Sequence, residues 1–269
     1  MDVLETGDRN GLEVQCSFVR GKNVLLAKAS FSPIFVEYFL HLNENKLNFS
    51  ETHVELFKTA LAAFTLHCAS RPRNEVLSWT ISFQKPLVNL FLVGDTELST
   101  VSGRIFDTDV KIEKFNSFFQ EVSRPGKPIH RSFVDFSGCD SLLAVEKFYS
   151  QSEQRPARLF QLDEEEYAMI SAHPDWDEKW FKNLDYDQMK QLSTTEEVNL
   201  LERRFYSWDC GCSVDKMYEL MVPMGLEGVE SIFEDQSMIT VSCPRCAGKF
   251  ELSRSRVDAL LSLSKDKIK

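Results

Sequence analysis

Residues Leu12 to Arg20 and Asn23 to Ser30 carry the pattern of two short strands around the turn Gly21-Lys22. Two apolar runs with helical spacing come next, Ile34 to Leu42 and Glu51 to Cys68. In the second, Val54, Phe57, Leu61 and Phe64 share one face; Ser50 is the expected N-cap, with Glu51 in the first turn. From Glu75 the period changes to two. Trp79, Ile81 and Phe83 alternate with Ser78, Thr80 and Ser82, as in a half-buried strand. Pro86 turns the chain into "LVNLFLV", and Gly94 and Gly103 read as punctuation after that run. A helix is expected from near Asp140, ending by Pro156. These patterns predict an α+β fold whose N-terminal domain, residues 1–174, is built on an antiparallel sheet.

Beyond it, residues 175–207 mix aromatic side chains with dense charge and read as a metastable helical linker. The linker carries Trp176, Trp180, Phe181 and Tyr186, which a fully solvated segment would not, so weak docking onto another surface is expected. The helical run Val214 to Met221 and the strand-like "SMITVSC" then predict a small C-terminal unit over residues 208–269.

Composition narrows the function. Of 269 residues, 43% are hydrophobic and 27% charged, enough apolar material for a core. The net charge of -10 argues against nucleic acid as a partner, since phosphate binding needs a surplus of Lys and Arg. The opening "MDVLETGDRNGLEVQC" lacks the pattern of a leader, and no run is apolar enough to span a membrane, so a cytoplasmic protein without membrane partners is expected. In a reducing compartment, clustered cysteines point to metal or redox chemistry rather than permanent disulfides.

Four of the seven cysteines fall into two tight pairs, Cys210 and Cys212 in "CGC", Cys243 and Cys246 in "CPRC". Four thiolates close a tetrahedral zinc site, and an all-cysteine shell is structural because it leaves no position for a reacting water. Pro244 stiffens the second turn, and Gly248 is the residue expected to take a positive φ there. Three readings remain open: a constitutive zinc-stabilised interaction module, a thiol-disulfide oxidoreductase and a redox switch. From Trp208 to Leu252, eight acidic residues stand against three basic ones, the wrong sign for a nucleic-acid-binding ribbon. A thioredoxin-type oxidoreductase works with one pair opening a helix, whereas two pairs travel together here. The C-x-C half is unusual for a purely structural site: alternate strand positions lie roughly 6.6 Å apart, near the upper limit for a disulfide, so a bond there would be strained and easily reduced.

The spacing C-x-C, thirty residues, C-x-x-C resembles the C-terminal signature of the heat shock protein 33 family of redox-regulated chaperones. "FYSQSEQRPARLF" at Phe148 to Phe160 and "FVRG" at Phe18 to Gly21 are similar to that family as well. After "RPARLF" the family carries a Gly-Gly pair, and this chain departs from it with "QLDEEEYAMISAHP". The resemblance implies an ATP-independent holdase rather than an enzyme. It would be silent with zinc on Cys210, Cys212, Cys243 and Cys246, and activated when disulfides Cys210 with Cys212 and Cys243 with Cys246 expel the metal. It further implies unfolding client proteins as partners, a monomer when reduced, a homodimer when oxidised, and a switch linker marked by Trp176, Trp180 and Phe181. The absence of a Walker loop agrees with ATP independence.

The remaining candidates read as structural. Cys16, Cys68 and Cys139 stand outside the motif; Cys68 follows an apolar helix face and is expected to be a small buried hydrophobe, and Cys139 is read as inert although it precedes an expected helix start. His67 and Cys68 are adjacent in a helix and diverge, so they form no dyad. "DEEEY" at Asp163 to Tyr167 is a solvated charge run.

Overall fold

The computed structural model describes residues 11–266; the segment 1–10, which includes most of the opening stretch judged to lack a leader, lies outside the described residues. Strands β1 (Leu12–Val19) and β2 (Val24–Ser30) form the expected hairpin, and helices α1 (Ser32–Glu44) and α2 (Glu51–Ala69) come after it. Ser50 caps α2 as its sequence suggests, its side chain accepting from the His53 N–H. A meander of β3 (Val76–Gln84), β4 (Leu87–Asp95) and β5 (Thr100–Phe106) comes next, with β6 (Asn116–Ser123) and β7 (His130–Phe136) added on the far side of β3. Helix α3 (Ser141–Gln151), capped by Asp140, leads to the hairpin of β8 (Ala157–Gln161) and β9 (Glu166–Ala172).

Gly94 and Gly103 lie inside β4 and β5 rather than at turns. At Gly94 the reason is steric: a Cβ there would stand 2.9 Å from the Cys68 sulfur and 3.0 Å from the Phe64 ring, so glycine lets α2 lie directly on the sheet. The result is a dry interface in which every residue of α2 from Ala60 to Ala69 is buried. Phe64, Trp79, Phe118 and Phe148 interlock beneath it, Phe118 and Phe148 stacked at 4.5 Å between centroids.

The expected linker takes a definite course. Short helices α4 (Glu178–Asn183), α5 (Tyr186–Lys190) and α6 (Leu192–Thr195) are followed by a long strand, β10 (Val198–Trp208), which the aperiodic first half of this segment did not suggest. Strand β10 enters the middle of a ten-stranded sheet of order β7-β6-β3-β4-β5-β10-β1-β2-β9-β8. It runs antiparallel to the whole of β1, with a register shift between Cys16 and Ser17, but joins β5 in parallel through only Ser207↔Thr100 and Trp208↔Val101. Two half-sheets are thus sutured by one strand, and the sheet is antiparallel except at that suture.

Helices α1, α2 and α3 cover one face, while α4 to α6 cover the other face of the β1, β2 and β9 half. Phe181, Leu184, Met189 and Leu192 pack there on Val19, Val24, Leu26 and Ile170, with Trp176 and Trp180 at the margin. Helix on both sides explains why β9 is buried at six consecutive positions. A separate small core belongs to the C-terminal lobe: α7 (Val214–Met221), a 3-10 turn at Val222–Met224, α8 (Gly225–Phe233), the hairpin of β11 (Met238–Ser242) and β12 (Lys249–Ser253), and α9 (Arg254–Asp266).

Candidate metal centre

Strand β10 delivers the first cysteine pair. Past Trp208 the Asp209 carboxylate accepts from the Gly211 N–H at 2.7 Å, and Gly211 takes φ +63°, folding Cys210 and Cys212 back toward the lobe before Ser213 caps α7. The β11–β12 hairpin delivers the second pair, its end closed by the Ser242↔Lys249 pairing. Within that turn the Cys243 N–H donates to the Gly248 carbonyl at 2.8 Å and the Ala247 N–H to the Cys243 carbonyl at 2.9 Å. The positive φ expected at Gly248 falls instead on Ala247, at +63°. Gly248 meets a different demand: its N–H donates to the Cys246 sulfur at 3.4 Å, and a Cβ there would press on that sulfur at 3.3 Å.

The four sulfurs lie within 4.8 Å of one another. The nearest approaches join the two halves, Cys210 to Cys243 at 3.7 Å and Cys212 to Cys246 at 3.6 Å. Both exceed the roughly 2.05 Å of a disulfide, and both match the about 3.8 Å edge of a tetrahedron of sulfurs at about 2.3 Å from a central zinc. Cys243 and Cys246 are buried, whereas Cys210 and Cys212 are half-buried. Hydrogen bonds from Cys210 and Cys246 hold the Cys243 thiol well below its ordinary pKa; the same sharing pushes Cys246 and Cys210 up, and burial pushes Cys212 up to about 12. One sulfur readily carries charge, and four together need a cation among them. The donor set fits a thiophilic divalent metal such as zinc.

The main body grips this centre through the backbone of the cysteine turn. His41 on α1 donates Nε2–H to the Cys246 carbonyl at 2.7 Å; a carbonyl can only accept, so Nδ1 is left to accept from the Asn45 amide at 3.3 Å. Asn45 in turn accepts the Lys249 N–H at 2.7 Å, and Arg104 on β5 donates to the Cys243 carbonyl at 3.2 Å. Glu37 accepts the Trp208 N–H at 2.8 Å, and the Trp208 ring rests against Tyr38 and His41. None of His41, Asn45, Arg104 and Glu37 was read as functional from the sequence. They lie far from the cysteines along the chain, and no local spacing marks them.

Trp176, Trp180 and Phe181 pack with β1, β2 and β9 rather than with the cysteines. Phe181 is only 2% exposed, a firmer seat than weak docking suggests. Asp177 caps α4 and faces Lys22, Asn23 donates to the Asp175 carbonyl, and Arg158 donates to the carbonyls of Phe181 and Leu184. Cys68 is fully buried and its thiol is pushed far up by desolvation; burial raises Cys16 to about 11; Cys139 is exposed beside the Asp140 cap. His67 shares a hydrogen bond with the Tyr149 hydroxyl at 2.5 Å and faces no thiol partner.

Residues 160–253 match the profile of the Hsp33 protein family. A 33 kDa chaperonin from Nitrosococcus oceani is 23% identical over 162 residues, a match covering 52% of this chain and 56% of that protein. A 33 kDa chaperonin from Caldanaerobacter subterraneus subsp. tengcongensis is 25% identical over 75 residues, or 28% of this chain and 26% of the relative. The matches thus span about half, or about a quarter, of those relatives' lengths. The crystal structure of the 33 kDa chaperonin (Hsp33 homolog) from Thermotoga maritima superposes with a TM-score of 0.72 at 14% identity, covering 96% of this chain and all of that one, which establishes a shared fold. The four-cysteine cluster lies inside the segment that matches the Hsp33 family, and the fold is shared with an Hsp33 homolog along almost the whole chain.

Proposed function

We propose that this protein is a redox-regulated, ATP-independent holdase chaperone. The observation that carries the proposal is the gathering of Cys210, Cys212, Cys243 and Cys246 within 4.8 Å, in a lobe held to the main body through its own cysteine turn. Zinc, when bound, supplies a crosslink worth roughly 10 to 16 kcal/mol to a unit of this size. Around it, Gly248 and Ala247 shape the turn, while His41, Asn45 and Arg104 hold that turn against α1 and β5. Oxidation of the sulfurs removes the ligands and loosens the lobe. Because β10 runs from the α4–α6 helices into the lobe, loss of the lobe withdraws the anchor at one end of that segment and exposes apolar surface, including that around Phe181, to unfolding clients. The disulfides proposed are Cys210 with Cys212 and Cys243 with Cys246, since each pair stays close along the chain once the metal no longer joins the halves. The reading includes a cytoplasmic setting, domain limits near residues 174 and 207, a monomer when reduced and a homodimer when oxidised; among the described residues, no helix is long and apolar enough to cross a membrane.

The test treats the reduced, zinc-loaded protein with peroxide at mild heat, tracking metal release, non-reducing peptide maps and aggregation of a thermally unfolding client. Metal release with new suppression of aggregation supports the proposal. Retained metal with unchanged behaviour would leave a constitutive zinc-stabilised module, and turnover of a dithiol substrate an oxidoreductase.

A further inference from the structure

Arg71 and Arg204 of the main body are matched by carboxylates, Arg71 by Glu75 and Glu153 and Arg204 by Glu202. Arg104 is different. It reaches from β5 to the cysteine turn, with Nη1 3.2 Å from the Cys243 carbonyl, its guanidinium 4.1 Å from the centre of the Phe106 ring, and Nε buried without a hydrogen-bond partner. Among the described residues no carboxylate pairs with it; burial lowers its pKa, and the charges opposing that effect are the sulfurs of Cys243 and Cys246. Lys216 and Arg245 also flank the centre, at the groove beside Cys210, but both belong to the lobe and travel with it.

A centre of four thiolates and one divalent cation carries two net negative charges. Under the proposed redox function, on which this inference rests, two peroxide molecules take four electrons from the four sulfurs. Two S–S bonds form, four metal–sulfur bonds break with release of a dication, and the peroxide oxygens leave as four hydroxide ions. The protein-bound charge facing Arg104 therefore falls to zero. We propose that Arg104 is the residue by which the main body senses the charge state of the cysteine centre, holding the lobe while the sulfurs are anionic and favouring its release once they are disulfides. The physical reason is that a guanidinium held in a partly dry contact is stabilised by an opposing charge and penalised when that charge is withdrawn. His41 and Asn45 hold the same turn through bonds that need no charge on the sulfurs, so they contribute grip without sensing.

The experiment compares Arg104→Met, Arg104→Lys and His41→Phe with the parent by amide hydrogen exchange at Lys249, whose N–H is held by Asn45, and at Trp208, held by Glu37. Zinc content and circular dichroism are checked first. In the reduced, zinc-loaded state Arg104→Met should exchange on the order of tenfold faster at Lys249, as expected for loss of a charge-assisted bond, with one zinc retained and little change as salt rises. Arg104→Lys keeps the charge and should restore most of the protection at low salt, losing it as salt rises. His41→Phe should exchange faster yet keep the parent's response to salt. Parent-like protection in reduced Arg104→Met, or an undiminished response to salt there, overturns the sensing role while metal release from the parent stands. A parent that keeps its zinc under peroxide instead overturns the redox reading itself, a result distinguishable because the reduced-state comparison does not depend on it.

Discussion

The main sheet and the C-terminal lobe stay folded for different reasons. Under α2 the sheet buries an uninterrupted aromatic cluster, Trp79, Phe118, Phe148 and Phe64 meeting ring to ring, with Gln120 bonded to the indole N–H. The lobe buries Met217, Tyr218, Met221, Val229, Phe233 and Leu252 beside its cysteines and leaves Leu220, Met224, Leu226 and Met238 exposed. So small an apolar core does not offset the entropy of ordering the chain around it. The difference sets a region stabilised by packing beside a region whose small apolar core is gathered around four cysteine sulfurs.

The largest effect that tests this contrast is expected at the cysteines. Cys243→Ser should abolish tight zinc binding and cost the lobe most of the roughly 10 to 16 kcal/mol that the metal contributes. Metal analysis and hydrogen exchange should show β11 and β12 unprotected while β3 and β4 stay as protected as in the parent; a variant that bound zinc at full affinity would break the comparison. Next comes Phe118→Ala, expected to lower the stability of the main sheet by about 3 to 5 kcal/mol through the cavity beside Phe148. Denaturant unfolding reports that loss, and zinc stoichiometry should not change. Phe181→Ala probes the region between: removing its buried ring should weaken seating of α4–α6 by about 2 kcal/mol. Proteolysis of the reduced protein within residues 175–197 should accelerate, and a rate equal to the parent's would argue that these helices are not held by their apolar face.

The smallest effect is a pH dependence confined to the main sheet. Burial, with Arg71 and Arg155 nearby, holds His67 well below its ordinary 6.5, so folded His67 stays neutral where unfolded His67 gains a proton. The unfolded state then binds more protons below about pH 6.5, and stability present above that value is lost as pH falls toward the folded pKa. Between pH 6.5 and 5.5 the loss should approach about 1 kcal/mol in denaturant midpoints of the main transition, and His67→Gln should flatten it.

The sequence by itself determined what depends on neighbours in the chain. Alternation marked β3 at Trp79, Ile81 and Phe83, Ser50 marked the start of α2, and the cysteine spacing named all four candidate ligands, because periodicity, capping and turn chemistry act within a few residues. What only the tertiary structure decided is what depends on partners far along the chain. Residues 198–208, read as the end of a linker, became β10 because β1 offered a full antiparallel edge and β5 a short parallel one. Gly94 proved to be clearance for α2 rather than a turn, and the positive φ fell on Ala247 while Gly248 gives room to the Cys246 sulfur. His41 and Arg104 became the hold on the cysteine turn only once folding brought α1 and β5 to it, 205 and 139 residues away in sequence. A side chain whose role is set by packing across such separations leaves no local pattern, since its partners are chosen by the topology of the sheet and not by its place in the chain.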